Sequence, residues 1–229
     1  MKKLCVASNM MNELPQLDEW LEFVTRIADY ILIVDSGSTD GSLGYLADQP
    51  VTVVQSDIIK TDGYGPARNH LRAMAKKHFP DAHWLLFLDA DERIMPEDFH
   101  RLRFLKDYLI EDYDVLALPR IDWMDLAMTT MAKDWVAYPD YQARMTRLNS
   151  PLKYIRKIHE QVTGHRGMYA DIENPKIHHF HRSAGQAKRD SIGKLCAFLH
   201  QQDSEYGHTV PEHHKEAMYR EMLAKEGLD

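Results

Sequence analysis

The sequence predicts an α/β fold built on a mainly parallel sheet with helices on both faces, because four apolar runs of strand length each lead into a stretch of helical period. Two further observations support that class. Each apolar run closes on a cluster of polar and turn-forming residues, and 229 residues of which 44% are apolar suffice to bury one substantial core. A single domain over residues 1–229 follows, with a soft division near Asp112 between 1–111 and 112–229.

Leu4 to Ala7 reads as a buried strand, and Leu14 to Ala28 as an amphipathic helix, since Leu17, Leu21, Val24 and Ile27 recur every three or four residues. Ile31 to Val34 is a β-branched strand ending in Asp35. The Ser-Gly-Ser-Thr-Asp-Gly turn after it supplies a hydroxyl or carboxylate to cap a helix over Ser42 to Ala47. Val51 to Val54 makes a third strand, and Pro66 fits the first turn of a helix continuing through Leu71, Met74 and Phe79. Trp84 to Leu88 makes the fourth, ending in Asp-Ala-Asp-Glu, with Pro96 opening a helix toward Leu109. Beyond it, strands are expected at Val115 to Leu118, Gln142 to Leu148 and Lys176 to Phe180, and helices near Ala184 and after Pro211.

The charge balance is 28 basic against 35 acidic residues, a formal −7, so no global positive field is present to hold nucleic acid. Cys5 and Cys196 are too few and too far apart for a disulfide framework and suit reduced thiols. The apolar patch after Met1-Lys2-Lys3 is broken by Ser8 and Asn9, too early for a signal-peptide core or a transmembrane segment. The chain therefore reads as cytoplasmic, and a lipid-linked partner would be met at the membrane surface.

Ligands of open parallel sheets settle beyond the carboxyl ends of the strands, and the polar clusters fall there. Asn9, Asn12 and Glu13 follow the first strand, Asp35 and Asp40 the second, and Asp89, Asp91 and Glu92 the fourth. Asp89-Ala-Asp91 is the sharpest signal: carboxylates two apart at a strand end can hold Mn²⁺ or Mg²⁺ against a diphosphate, although one of them could instead cap the helix near Pro96. The segment Gly63-Tyr64-Gly65-Pro66-Ala67-Arg68-Asn69 can bring backbone N–H groups and the Arg68 guanidinium to a phosphate or base, or can be a plain turn into a helix. The NTPase P-loop and the G-x-G-x-x-G dinucleotide fingerprint are absent.

Together these pieces resemble glycosyltransferase family 2, a GT-A fold family with a Rossmann-like sheet. The likeness rests on Asn12-Glu13 before a helix bearing Trp20, Ile33-Val34-Asp35-Ser36-Gly37-Ser38-Thr39-Asp40-Gly41, Ala67-Arg68-Asn69, and Leu86-Phe87-Leu88-Asp89-Ala90-Asp91-Glu92, in that order. Tyr138-Pro139, Gln142-Ala143-Arg144-Met145, His159-Glu160 and His178-His179-Phe180-His181 extend it toward short bacterial- and phage-like members.

The resemblance implies a metal-dependent, inverting transfer from a nucleotide-sugar donor, a UDP-sugar, with residues 1–111 binding the donor and 112–229 shaping the acceptor and catalytic side. Asn9, Glu13, Asp35, Arg68 and Asp89 would contact the nucleotide; Asp89 and Asp91 would hold Mn²⁺ or Mg²⁺, completed by His179 or His181, which strand alternation places on one face with His178 opposite. The family often draws its base from a Glu-Asp or Asp-Asp pair. Here Glu111-Asp112 falls where a helix ends, so Glu160 is the candidate base. Arg144 and Arg147, three apart on a strand, cannot both reach the donor. Trp123, Trp135, Tyr138, Tyr141 and Tyr154 can stack on a sugar or pack the core. The acceptor would be a surface glycan, a protein or a modified DNA base. The alternative functions are a nucleotidyltransferase making nucleotide sugars, which normally needs glycine and lysine where this chain has Asn9-Met10-Met11-Asn12, and a non-catalytic nucleotide-sugar-binding protein.

Overall fold

The computed structural model describes residues 1–108, 112–132, 138–180 and 186–203. The first half follows the expected alternation: β1 (Lys3–Met10), α1 (Leu14–Val24), β2 (Tyr30–Asp35), α2 (Ser42–Ala47), β3 (Thr52–Gln55), a short α3 (Ile58–Thr61), α4 (Tyr64–His78) and β4 (Ala82–Phe87). The α1 pattern predicted through Ala28 stops at Val24, and the chain then passes through tight turns in which the Thr25 hydroxyl donates to the Leu21 carbonyl at 2.7 Å.

A two-residue strand β5 (Glu92–Arg93), a 3₁₀ turn over Pro96–Asp98 and α5 (Phe99–Tyr108) lead into β6 (Tyr113–Asp122) and β7 (Asp140–Arg147). Then come β8 (Lys153–Ile155), β9 (Gln161–Thr163), β10 (Met168–Asp171), β11 (Ile177–His179) and α6 (Gln186–Asp203). The sequence did not announce β5, β8, β9 or β10, since two to four residues are too short to display a period of two. The helix expected after Pro211, with Glu111, Trp135 and His181, lies outside the described residues.

One mixed sheet of nine strands runs β3-β2-β1-β4-β7-β6-β11-β5, with β10 beside β6, and so continues across residue 112. β1, β2, β3 and β4 are mutually parallel; β7 enters antiparallel between β4 and β6. Strand alternation divides the core by face. Leu4, Val6, Ile33 and Leu86 pack under Leu17, Trp20 and Leu21 of α1, while Cys5, Ala7, Leu32 and Phe87 pack under Leu71 and Ala75 of α4. Both cysteines are free, and burial pushes the Cys5 thiol up to about 12. No helix of the described residues is long and apolar enough to cross a membrane.

Candidate active site

β1 lies between β2 and β4, all three parallel, so the loops leaving them emerge side by side at the carboxyl edge of the sheet, where the strand order reverses. The β1 and β2 loops are stitched to each other. Asn12, at a left-handed φ of 57°, accepts the Thr39 N–H through Oδ1 at 2.7 Å, and its own N–H reaches Ser38 Oγ at 2.8 Å. Asp40 accepts the Leu14 and Ser42 N–H groups, both at 3.0 Å, and so ties the start of α1 to that of α2.

Asp35 is 1% exposed, and its carboxylate accepts the N–H groups of Gly37 at 2.9 Å and Ser38 at 3.0 Å as well as the Ser38 hydroxyl. Gly37 adopts a φ of 88°, which glycine alone takes without strain, and this turns the chain back over the carboxylate. Beside it, the buried Asn9 Oδ1 and Ser36 Oγ have no hydrogen-bond partner among the described residues. Glu13 holds Gln16 Nε2 at 3.1 Å.

The edge beyond β4 is built from charge. Arg144 joins Asp89 at 2.9 Å to Glu92 at 2.6 Å; Arg68 joins Glu160 at 2.6 Å to Asp89 at 3.6 Å; Arg120 joins Asp140 at 2.8 Å to Glu92 and Asp122, each at 3.8 Å. His179 closes the series, with Nδ1 on Asp122 and Nε2 3.4 Å from Asp91 Oδ2. Among the described residues the network holds six carboxylates against three guanidiniums and one imidazole.

Arg144 lies at a β-bulge. Leu116 pairs with Met145 but Ala117 with Ala143, so Arg144 is the extra residue of the bulged strand. Arg147 lies elsewhere, stacked over Trp84 at 4.8 Å and bonded to the Tyr113 carbonyl at 3.0 Å, as three-residue spacing requires.

The Gly63–Asn69 segment corrects one expectation. Its first N–H groups are not presented to a ligand: Tyr64 N donates to the Lys157 carbonyl at 2.7 Å and Gly65 N to the Arg156 carbonyl at 3.1 Å. The two glycines are there because a Cβ at either would collide with backbone of residues 155–157. Asn69 completes the seat by accepting the Tyr154 N–H at 2.8 Å and donating to the Tyr154 carbonyl at 2.7 Å. The β8 loop is thereby docked on the start of α4, which brings Glu160 onto Arg68.

Position sets the proton affinities. Burial alone would raise Glu160, but Arg68 and Arg144 outweigh it and hold the carboxyl below its ordinary value. Asp89 is likewise held low by Arg144 and Arg68 against its burial. Fully buried Glu92 goes the other way, its desolvation outweighing Arg144. For His179, burial opposes the charged form, yet Asp91 and Asp122 on either side raise it to about 10.

The Glycosyl transferase family 2 profile matches residues 9–195. This chain belongs to that family. Among solved structures, the family 2 chain is similar to mannosyl-3-phosphoglycerate synthase from Rubrobacter xylanophilus, at 13% identity over 92% of this chain and 79% of that one, with a TM-score of 0.53. At that identity the likeness concerns the fold, which is GT-A. It also matches glucosyl-3-phosphoglycerate synthase from Mycobacterium tuberculosis, solved with Mn²⁺, UDP and glucosyl-3-phosphoglycerate, at 16% identity over 54% of this chain and 45% of that one, TM-score 0.40. The family 2 chain thus spans less than half the length of that synthase. No curated protein sequence matches it.

Within this family 2 site, Arg68, Asp89, Asp91, Glu160 and His179 come together in one network, and Asn9, Glu13 and Asp35 line the neighbouring loops on the other side of β1. Neither Asp89 nor Asp91 caps the helix after Pro96, where Met95 is the N-cap and no side chain bonds to it. His178 faces away from His179 and takes the Trp123 Nε1 proton at 2.9 Å while stacking on that ring; His181 lies outside the described residues. Tyr154 is core, edge-on to Phe87 with ring centroids 5.3 Å apart. Sequence reasoning missed Arg120, Asp122 and Asp140. A charged residue at each strand end was the available signal, but without the sheet order it pointed nowhere.

Proposed function

We propose that this chain is an inverting glycosyltransferase that moves a sugar from a nucleoside diphosphate donor, a UDP-sugar, to an acceptor hydroxyl with a divalent cation. The observation that carries the reading is the pairing, in one network, of a cation-type donor set at Asp91 and His179 with an Arg-held carboxylate at Glu160.

The donor set fits Mn²⁺ or Mg²⁺. Among the described residues no three His, Cys, Asp or Glu side chains form a ready-made cage, but such ions in nucleotide sites take one or two protein ligands plus phosphate oxygens. Asp91 Oδ2 and His179 Nε2 lie close enough to share one ion, and Asp122 on Nδ1 is the carboxylate–histidine arrangement that orients a ligating imidazole. Asp91 and His179 would hold the cation, with Asp89 beside it, and the cation would supply charge neutralisation of the departing diphosphate.

The protein's own groups account for the rest. The loops at Asn9, Glu13 and Asp35 would hold the nucleoside; the unpartnered Asn9 Oδ1 and Ser36 Oγ give that edge hydrogen-bonding capacity not consumed by the fold. Glu160 takes the proton of the acceptor hydroxyl as its oxygen bonds to the anomeric carbon and the bond to the diphosphate breaks. Arg68 holds Glu160 ionised in the free protein, the form a base requires. A diphosphate drawing on the same guanidinium loosens that pair and raises the proton affinity of Glu160 when transfer needs it.

A nucleotidyltransferase is less well supported, because the β1 loop carries no glycine or lysine and spends its amides on the β2 loop. The acceptor half would receive a glycan, protein or modified base from the cytoplasmic side, at a membrane surface if the acceptor is lipid-linked. A thermal-shift panel of nucleotide sugars with and without Mn²⁺ tests the reading: a UDP-sugar should raise Tm only with the cation, and a panel without any Mn²⁺-dependent shift would reject it.

A further inference from the structure

The network contains a closed ring to which the mechanism assigns no step. Glu92 Oε2 accepts the Asp89 N–H at 3.0 Å, Glu92 Oε1 accepts from Arg144 at 2.6 Å, and Arg144 returns to Asp89 Oδ2 at 2.9 Å. Glu92 is 0% and Arg144 3% exposed, whereas the Asp89 side chain is 34% exposed. The backbone of Glu92 pairs with His179 across β5 and β11. One residue therefore fixes Asp89 through its side chain and the His179 strand through its main chain.

We propose that Glu92 and Arg144 are a positioning pair, which holds the Asp89 turn and the His179 strand in the arrangement that receives the cation-bound diphosphate. A buried ion pair contributes little net stability compared with apolar residues of similar volume, so stability alone does not explain why this edge holds one. Its bonds to the Asp89 main chain and carboxylate, together with the pairing of Glu92 to the His179 strand, point to geometry as its purpose. Glu92→Gln keeps the volume and removes the charge that grips Arg144. The Asp89 carboxylate, then held by a guanidinium without its second anchor, loses its fixed orientation.

This inference rests on the metal and donor reading above, and UDP with and without Mn²⁺ is the probe, followed by calorimetry, with thermal melting as the check on folding. Outer-shell partners of metal ligands typically contribute 10–100-fold in affinity. E92Q should therefore weaken UDP binding in Mn²⁺ by about 10-fold or more, with metal-free UDP affinity within about 3-fold of the parent. R144K, which keeps the charge but not the fork, should fall between the two. In the double variant E92Q/R144K the loss should be smaller than the two single losses combined, since both act on one ring. Unchanged Mn²⁺-dependent affinity in E92Q and R144K overturns the pairing while leaving the function intact. An equal loss with and without Mn²⁺ also overturns it, by showing a purely structural part. A parent protein with no Mn²⁺-dependent UDP affinity removes both the function and the pairing.

Discussion

The two sides of β1 satisfy their carboxylates in opposite ways. Toward β2, Asp35 and Asp40 are held by neutral N–H and O–H groups from residues two or three positions along the same turn, joined by the Leu14 amide. Toward β4, Asp89, Asp91, Glu92 and Glu160 are held by guanidiniums and an imidazole from 21 to 92 residues away. The first arrangement folds each loop around its own carboxylate. The second gathers carboxylates, guanidiniums and an imidazole from distant parts of the chain at one sheet edge, with Asp89 and Asp91 partly exposed. The β2 side is thus satisfied within its own turns and the β4 side by partners from elsewhere in the fold.

Glu160→Gln attacks the β4 side where the effect should be largest: transfer should fall by about 10²–10⁴-fold, the usual value of a positioned base, with UDP affinity within about 3-fold. Full transfer in a product assay would remove Glu160 from the chemistry. Asp91→Ala should come next, weakening UDP binding in Mn²⁺ by about 100-fold in calorimetry while leaving metal-free binding alone. If both affinities stayed as in the parent, His179 would have lost its partner at no cost and the cation reading with it.

Gly65→Ala tests the docking that joins the two chain halves. Its Cβ meets the Arg156 carbonyl, so the β8 loop must shift and carry Glu160 away from Arg68. A cost of about 1–3 kcal/mol in chemical denaturation is expected, with transfer lowered further than stability explains. Parent-like values of both would show that the loop is not seated by this contact.

The smallest effect belongs to the β2 side. Burial would raise Asp40, but hydrogen bonds from Ser42 and Leu14 hold its folded pKa below the ordinary value. Its contribution to stability is therefore complete above about pH 4, the unfolded carboxylate range, and disappears as pH falls through the folded value. The Tm difference between the parent and Asp40→Asn should shrink on acidification below about pH 4. A difference that stayed constant from neutral to acid pH would show that the side chain's charge is irrelevant there.

Local patterns in the sequence determined the alternation through β4, the strand-end placement of Asp35, Asp89 and Asp91, and the opposed faces of His178 and His179. These follow from interactions between residues a few positions apart, whose periods of two and 3.6 can be read from one chain. Tertiary structure alone decided that Gly63 and Gly65 seat the β8 loop instead of a phosphate, that β7 pairs beside β4 and brings Arg144 to Asp89, and that Arg120, Asp122 and Asp140 join the same network. Those outcomes depend on strand order and on register across gaps of 20 to 94 residues. Opposite charges fix no such register until the apolar faces of the sheet have already placed their strands side by side.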